Sequence, residues 1–424
     1  MPKATDSLAA AIALLFAVPF AGAQTAPTQT ALRAAVEQAV TSNPEVTSRF
    51  NALRASADAV DVARGGWYPR VDLDASVGRS SDRLDTRSPE TQSFTRTGVA
   101  LSLTQLLWDG LGTQRDIERL GHDRLARYFE LIDATESTAM EAARAYYDVQ
   151  RFRRLVALAE DNYVQHRYAM TQIRSRFRAG VGRGVDLEQA NARVALAESN
   201  LTAELSNLHD VSARYLRVVG SPPPAALPRA TALSDALPAT PDALLQGAIQ
   251  RSAAVSASIE NLRAARSATQ LREAAFQPRV EARVRAGGGS NYEGIRDQRR
   301  DASAQIVLNW NLFNGGSDTA RVRQQKNLVN QALDLRDKAC RDTRQTASIA
   351  FNETRKLREQ IDYLDRNTVA IEKARDAYRQ QFDIGQRSLL DLLNAENEVY
   401  TARRAYANAD FDLSVAYALS LIHI

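Results

Sequence analysis

The 424-residue chain has one cysteine, Cys340, and only four histidines, His122, His166, His209 and His423. A single thiol permits no intramolecular disulfide. The histidines are scattered, and there is no phosphate-cradling glycine loop, metal-spaced cluster or nucleophile motif. The expectation is a protein that is no enzyme, with no catalytic residue, no metal site and no cofactor. No stretch after residue 24 approaches ~20 consecutive apolar residues, so no transmembrane helix is expected, although β-strands could still enter a membrane. Proline is missing where it would break helices: all thirteen lie at or before Pro278, and none lies between Pro89 and Pro222. Charge of one sign is also missing. The net charge is +4, and the arginines are spread among Asp and Glu along helical stretches rather than clustered with aromatics, so no nucleic-acid partner is expected.

Residues 1–23 read as a secretory signal peptide. Lys3 supplies a weak basic start, Leu8 to Phe20 an apolar stretch interrupted by Pro19, and Ala21-Gly22-Ala23 a small-x-small cleavage site before Gln24. The alternative, an N-terminal anchor, would need a longer apolar run.

The chain also repeats itself. Phe177-Arg178-Ala179-Gly180 with Asp186-Leu187 returns as Phe382-Asp383-Ile384-Gly385 with Asp391-Leu392, an offset of 205 residues. The same offset carries Leu107-Trp108-Asp109-Gly110 onto Leu312-Phe313-Asn314-Gly315. Upstream the offset is 209, carrying Tyr68-Pro69-Arg70-Val71 onto Gln277-Pro278-Arg279-Val280. So long a period excludes a solenoid unit and implies two copies of one large structural unit. The first would cover 24–220 and the second 242–424, joined by a proline-rich crossover at 221–241.

Each copy ends in a proline-free tract, about 109–221 and 314–424. In the first, Phe152, Val156, Ala159, Tyr163, His166, Met170, Ile173 and Phe177 alternate four and three apart, a heptad seam. Leu357 to Phe382 repeats it with polar intrusions, and alanines recur at heptad spacing on both return legs. Each tract breaks once, at tips 179–184 and 384–388, where glycine tolerates the left-handed conformation that ends helices. Two antiparallel helical hairpins are expected, with an outgoing arm from about 113 to 178 some ~100 Å long. Asp186 and Asp391 fall in the first turn of each return helix, where a carboxylate suits the helix dipole.

Before each tract the period changes to two. Val71, Leu73, Ala75 and Val77 alternate with Arg70, Asp72, Asp74 and Ser76, and Val280, Ala282 and Val284 alternate with Glu281, Arg283 and Arg285. Strands are expected at about 69–79, 97–108, 278–287 and 302–313, with exposed loops at roughly 80–95 and 287–301. Their dyad pattern fits transmembrane strands with one wet face; a soluble β-hairpin packed on the helices is the alternative. Four strands cannot close a membrane barrel, and open edges are not tolerated in lipid. Spanning strands therefore require several chains to share one barrel, with the hairpins projecting from it as a tube.

With these blocks in this order, nearly the whole mature chain resembles the TolC-like outer-membrane factors, and within them the type I secretion branch. The resemblance implies a mainly α protein with a small β part. It implies a homotrimer with a shared 12-stranded barrel in outer-membrane lipid of a Gram-negative bacterium and a long α-helical periplasmic tunnel. It also implies partners: a periplasmic adaptor (membrane fusion protein), an inner-membrane ABC transporter or proton-driven pump, and a secreted protein substrate. Small-molecule efflux is the alternative use, and a periplasmic coiled-coil adaptor or scaffold the alternative of another class. By the same resemblance, Asp391 and Asn394 fall at the tunnel's constriction, and Arg387 and Asp186 form a bridge closing the tip. Gly180 and Val181, with Gly385 and Gln386, are the adaptor-docking turns. Phe382 stands where relatives carry an aromatic hydroxyl.

Overall fold

Prolines placed where a helix needs no N–H open the first two helices, α1 (Pro27–Ser42) and α2 (Pro44–Arg64). Between them Asn43 accepts from the Glu45 amide at 2.9 Å and caps α2. The structure, a computed structural model, describes residues 27–83, 85, 86, 88–229 and 240–422; the expected leader and residues 230–239 of the crossover lie outside the described residues. After α2 come strands β1 (Arg70–Arg83) and β2 (Thr91–Trp108), then helices α3 (Gly112–Arg178) and α4 (Gly184–Val219). The second copy runs α5 (Pro241–Arg251), α6 (Ala253–Glu273), β3 (Arg279–Ser290), β4 (Arg300–Asn309), α7 (Ser317–Asp383) and α8 (Leu389–Ile422). The longer offset of the repeat carries α2 onto α6 end to end, and the shorter one carries α3 onto α7. The four-residue difference therefore falls inside the strand pairs.

The strands form one antiparallel sheet in the order β1-β2-β3-β4, so the β2–β3 ladder joins the two copies. Register places side chains of one kind in rows: Leu73 lies opposite Leu101, Leu101 opposite Ala286 and Ala286 opposite Ala302. The next row is Asp72, Ser102, Arg285 and Ser303. Period-two alternation thus sorts the apolar and polar residues of all four strands onto opposite faces.

The strand limits differ from expectation. β1 runs on to Arg83 and β2 begins at Thr91, because the hydrogen-bond ladder continues where both faces are polar and alternation is no longer visible. β3 likewise continues through Gly287, Gly288 and Gly289 to Ser290. Residues 310–313 keep the alternation but not the strand, since Asn309 opposite Arg279 is the last rung.

Contacts divide the chain into two units. One, Asn51–Phe129 with Ser256–Ala339, holds the sheet and the helical segments flanking it. The other, Met1–Phe50 with Glu130–Val255 and Cys340–Ile424, holds the remaining helices. Its core is built from Tyr146, Tyr147 and Val149 of α3, Val219 of α4, Ala39 of α1 and Phe411 of α8. The described part of the crossover is stitched to α3 through its carbonyls: Tyr146 and Gln150 both donate to the Pro228 oxygen at 2.6 Å, and Arg153 donates to the Pro224 oxygen at 2.7 Å. The expected α3 seam is widened by Leu155, Leu158, Asn162 and Ala169, because α3 packs on α8 through Tyr400 and Ala407 as well as on α4 through Leu201. Phe177, at the end of the expected seam, is exposed.

Candidate functional site

Both hairpin tips are built alike. Gly180 has φ +76° and Gly385 φ +78°, conformations that L side chains rarely adopt. Gly180 donates to the Phe177 oxygen and Val181 to the Arg176 oxygen, both at 3.0 Å. Gly385 donates to the Phe382 oxygen at 3.0 Å and Gln386 to the Gln381 oxygen at 2.8 Å. These are matching Schellman caps, which satisfy carbonyls left open at the ends of α3 and α7. Around them Val181, Val185, Ile384 and Leu390 are exposed, an apolar rim on each tip.

The polar residues differ between the copies. Ser388 and Asp391 form a reciprocal capping box: the Ser388 hydroxyl donates to Asp391 Oδ2 at 2.9 Å and accepts from the Asp391 amide at 3.2 Å. Arg387 donates to Gln381 Oε1 at 3.0 Å, lies 3.8 Å from Asp391 Oδ2 and stacks over the Tyr378 ring at 4.8 Å. Within the chain Arg387 is therefore engaged by its own hairpin, and the structure does not bring it to Asp186. Asp186 is half-buried at the start of α4, with Gly182 and Arg183 where the second copy has Arg387 and Ser388. Asn394 is exposed, and its side-chain oxygen accepts from Arg193 of α4 at 2.7 Å.

Contacts between the hairpins near the tips had no sequence signal. One is Arg193–Asn394. In another, the Arg176 guanidinium lies 4.6 Å from the centroid of Phe382. Phe382 has no hydroxyl to donate, but its ring face takes a cation, and the ring is buried with Ile173, Ala190, Leu389 and Leu393. Below this cluster Glu396 is buried and clamps α8 to α7 through Arg375 at 3.0 Å and Arg379 at 2.5 Å. His166, also buried, has a ring Nδ1 with no partner. Burial holds its pKa below the ordinary 6.5; the Glu396 charge opposes that shift and Arg193 adds to it.

The sheet is the second element of the site. Leu73, Val77, Leu101, Val284, Ile306 and Leu308 project from one face and are exposed, so no helix among the described residues covers it, unlike the expected alternative of a soluble hairpin packed on the helices. The opposite face carries Arg70 paired with Asp72, and Glu281 held between Arg279 at 2.6 Å and Arg283 at 2.8 Å. Trp67, Tyr68, Trp108 and Trp310 gather at the end where the helices join, exposed like the aromatic belt of a membrane interface. No helix among the described residues is long and apolar enough to cross a membrane, and no group of ligating side chains there could hold a metal ion.

The family model for outer membrane efflux proteins matches residues 35–220 and 244–418, both copies of the repeat. The chain belongs to this family. It is 27% identical to the outer membrane efflux protein BepC of Brucella suis over 98% of this chain and 90% of the relative. It is 24% identical to the alkaline protease secretion protein AprF of Pseudomonas aeruginosa over 90% of this chain and 81% of the relative. Among solved structures, the outer membrane protein VceC of Vibrio cholerae superposes with a TM-score of 0.81 at 16% identity, covering 93% of this chain and 95% of that one. The protein is thus a TolC-like outer-membrane efflux channel of tripartite systems, a transporter rather than an enzyme, and its mainly helical fold with a small antiparallel sheet is that of its neighbours. Its place is the outer membrane of a Gram-negative bacterium, with the helices periplasmic.

Proposed function

We propose that this chain is the exit duct of a type I secretion system, passing a protein substrate from an inner-membrane ABC transporter and a periplasmic adaptor to the exterior. Three copies would share a 12-stranded barrel. The observation that carries the reading is the sheet: four strands with an exposed apolar face, a polar face rich in paired charges and two unpaired edges, β1 and β4. Open edges are tolerated in lipid only when another strand pairs with them, so further copies of the sheet must close it. The secretion role is favoured by AprF, and efflux of small molecules, the second reading, by the name and higher identity of BepC.

In this reading the tips are the docking and gating end. The apolar rims beside Gly180, Val181, Gly385 and Gln386 are the surface offered to the adaptor. Three Asp391 carboxylates would converge on the axis with Asn394 as a neutral ring, and Arg387 and Asp186 would pair when neighbouring hairpins meet. Deleting the protein and comparing the secreted proteome with drug susceptibility tests the role. Loss of a secreted protein with unchanged susceptibility supports secretion, and the reverse supports efflux. A soluble periplasmic protein in place of a heat-modifiable outer-membrane trimer would sink both.

A further inference from the structure

We propose that the segment joining β3 to β4 is an inward-folded lip that narrows the outer exit of the duct, latched by Tyr292 in a glycine cradle. The inference rests on the reading that the polar face of the sheet lines the aqueous path. This segment lies at the end of the sheet opposite the helix junctions. Tyr292 sits on it but is only 3% exposed. Its ring lies on the polar face, against Gly98 of β2 and Gly287 of β3. A Cβ at Gly287 would stand 1.9 Å from the Tyr292 hydroxyl, and one at Gly98 2.9 Å from the ring. Ala100 lies in the polar-face row of Asp74, Gly287 and Asp301 and is nevertheless 3% exposed. Tyr292 lies over that row.

The segment is held in this pose. Asn291, Glu293 and Asp297 all have positive φ (49°, 53° and 65°), a region that Asn and Asp enter readily but Glu seldom does. Asn291 Nδ2 donates to the Thr95 oxygen at 2.8 Å, Arg285 pairs with Glu293 at 3.0 Å, and Arg296 donates to Gln92. A cavity of about 340 Å³ remains beside the ring, lined by Asp74, Ser76, Arg96, Arg285 and Glu293. The buried Tyr292 hydroxyl has no partner. The latch is therefore the fit of the ring, without a hydrogen bond, and Glu293 covers the Arg285 charge while the lip is folded in.

The test is labelling of intact cells with a membrane-impermeant maleimide, in a Cys340→Ser background and on variants confirmed as outer-membrane trimers. Ala100→Cys should label slowly, and adding Tyr292→Ala should speed labelling about tenfold or more by releasing the lip. Gly287→Val, which fills the cradle, should do the same, whereas Tyr292→Phe should leave the rate unchanged. Ser102→Cys, one row further from the lip, should label in every background. Equal Ala100→Cys rates with and without Tyr292 would overturn the lip. An unlabelled Ser102→Cys would instead overturn the placement of the polar face in the aqueous path.

Discussion

The Arg176–Phe382 contact joins the two hairpins at their tips, so it can be weighed against opening. The guanidinium is half-buried over a ring that is 8% exposed. Such a pair contributes ~0.5–1 kcal/mol when solvated and ~2 kcal/mol when desolvated, so ~1 kcal/mol is the expectation here. Phe382→Leu keeps most of the buried volume, and its packing cost stays below ~1.5 kcal/mol. Arg176→Gln removes the cation alone. A coupling of ~1 kcal/mol changes the closed-to-open ratio of one tip about fivefold. In the proposed trimer, with three tips opening in concert, the energies add, to about a hundredfold. The assay is a double-mutant cycle on purified channels in planar bilayers, scoring the fraction of time in the high-conductance state. Both single variants should open more often, and Arg176→Gln should have little further effect once Phe382 is Leu. Strictly additive effects, with coupling below ~0.3 kcal/mol, would refute the claim that this pair holds the tips together.

Other outcomes follow from the same geometry. Asp391→Ala should weaken block of the channel by multivalent cations, but it also breaks the box with Ser388. Asp391→Asn keeps a capping acceptor, so the same loss of block with Asn assigns the effect to charge, while unchanged block in both would remove Asp391 from the constriction. Gly385→Trp should abolish secretion with trimer assembly intact, since a Cβ there meets only open space and the left-handed backbone costs ~1–2 kcal/mol; normal secretion would count against docking at the tip. For His166 the folded pKa lies below the unfolded 6.5. Below 6.5 the unfolded state therefore takes up a proton that the folded state refuses. Stability is full above 6.5 and falls as pH drops through it, by at most ~1.4 kcal/mol per unit. Denaturation midpoints measured against pH should show this slope reduced in His166→Gln, and identical slopes would show the ring is not the sensor.

What could be read in the sequence was whatever repeats over many residues. The 205-residue offset located both tips, because Gly180 and Gly385 make the same cap from the same local residues. Alternation located the sheet faces, because Leu73 and Leu101 must share a side in any register that buries neither Asp72 nor Ser102 in lipid. What failed was of two kinds. Strand ends were misjudged where both faces are wet, as at residues 80–83, or where the partner strand stops, as at Trp310. The glycines at 287–289 looked like an exposed loop but belong to β3, and Gly287 leaves space for Tyr292. Contacts between distant segments carry no local signature at all: Arg176 with Phe382 and Arg193 with Asn394 are visible only once the hairpins are side by side.

Those distant contacts change what the divergence of the copies means. The resemblance puts Asp391, Asn394 and Arg387 of the second hairpin at the tip, with only Asp186 from the first. In the structure, Arg387 and Asp391 serve their own hairpin, shaping its turn and capping α8. Arg176 from the end of α3 and Arg193 from α4 reach across to Phe382 and Asn394, while farther along the helices second-copy Arg403 and Arg404 pair with Asp161 and Glu204 of the first copy. A ring face and an amide oxygen both accept an arginine, but neither brings a charge. Nearest the tips the hold thus includes cations facing neutral acceptors, while farther along the helices it is made of ion pairs such as Arg403–Asp161, which salt screens more where they are exposed.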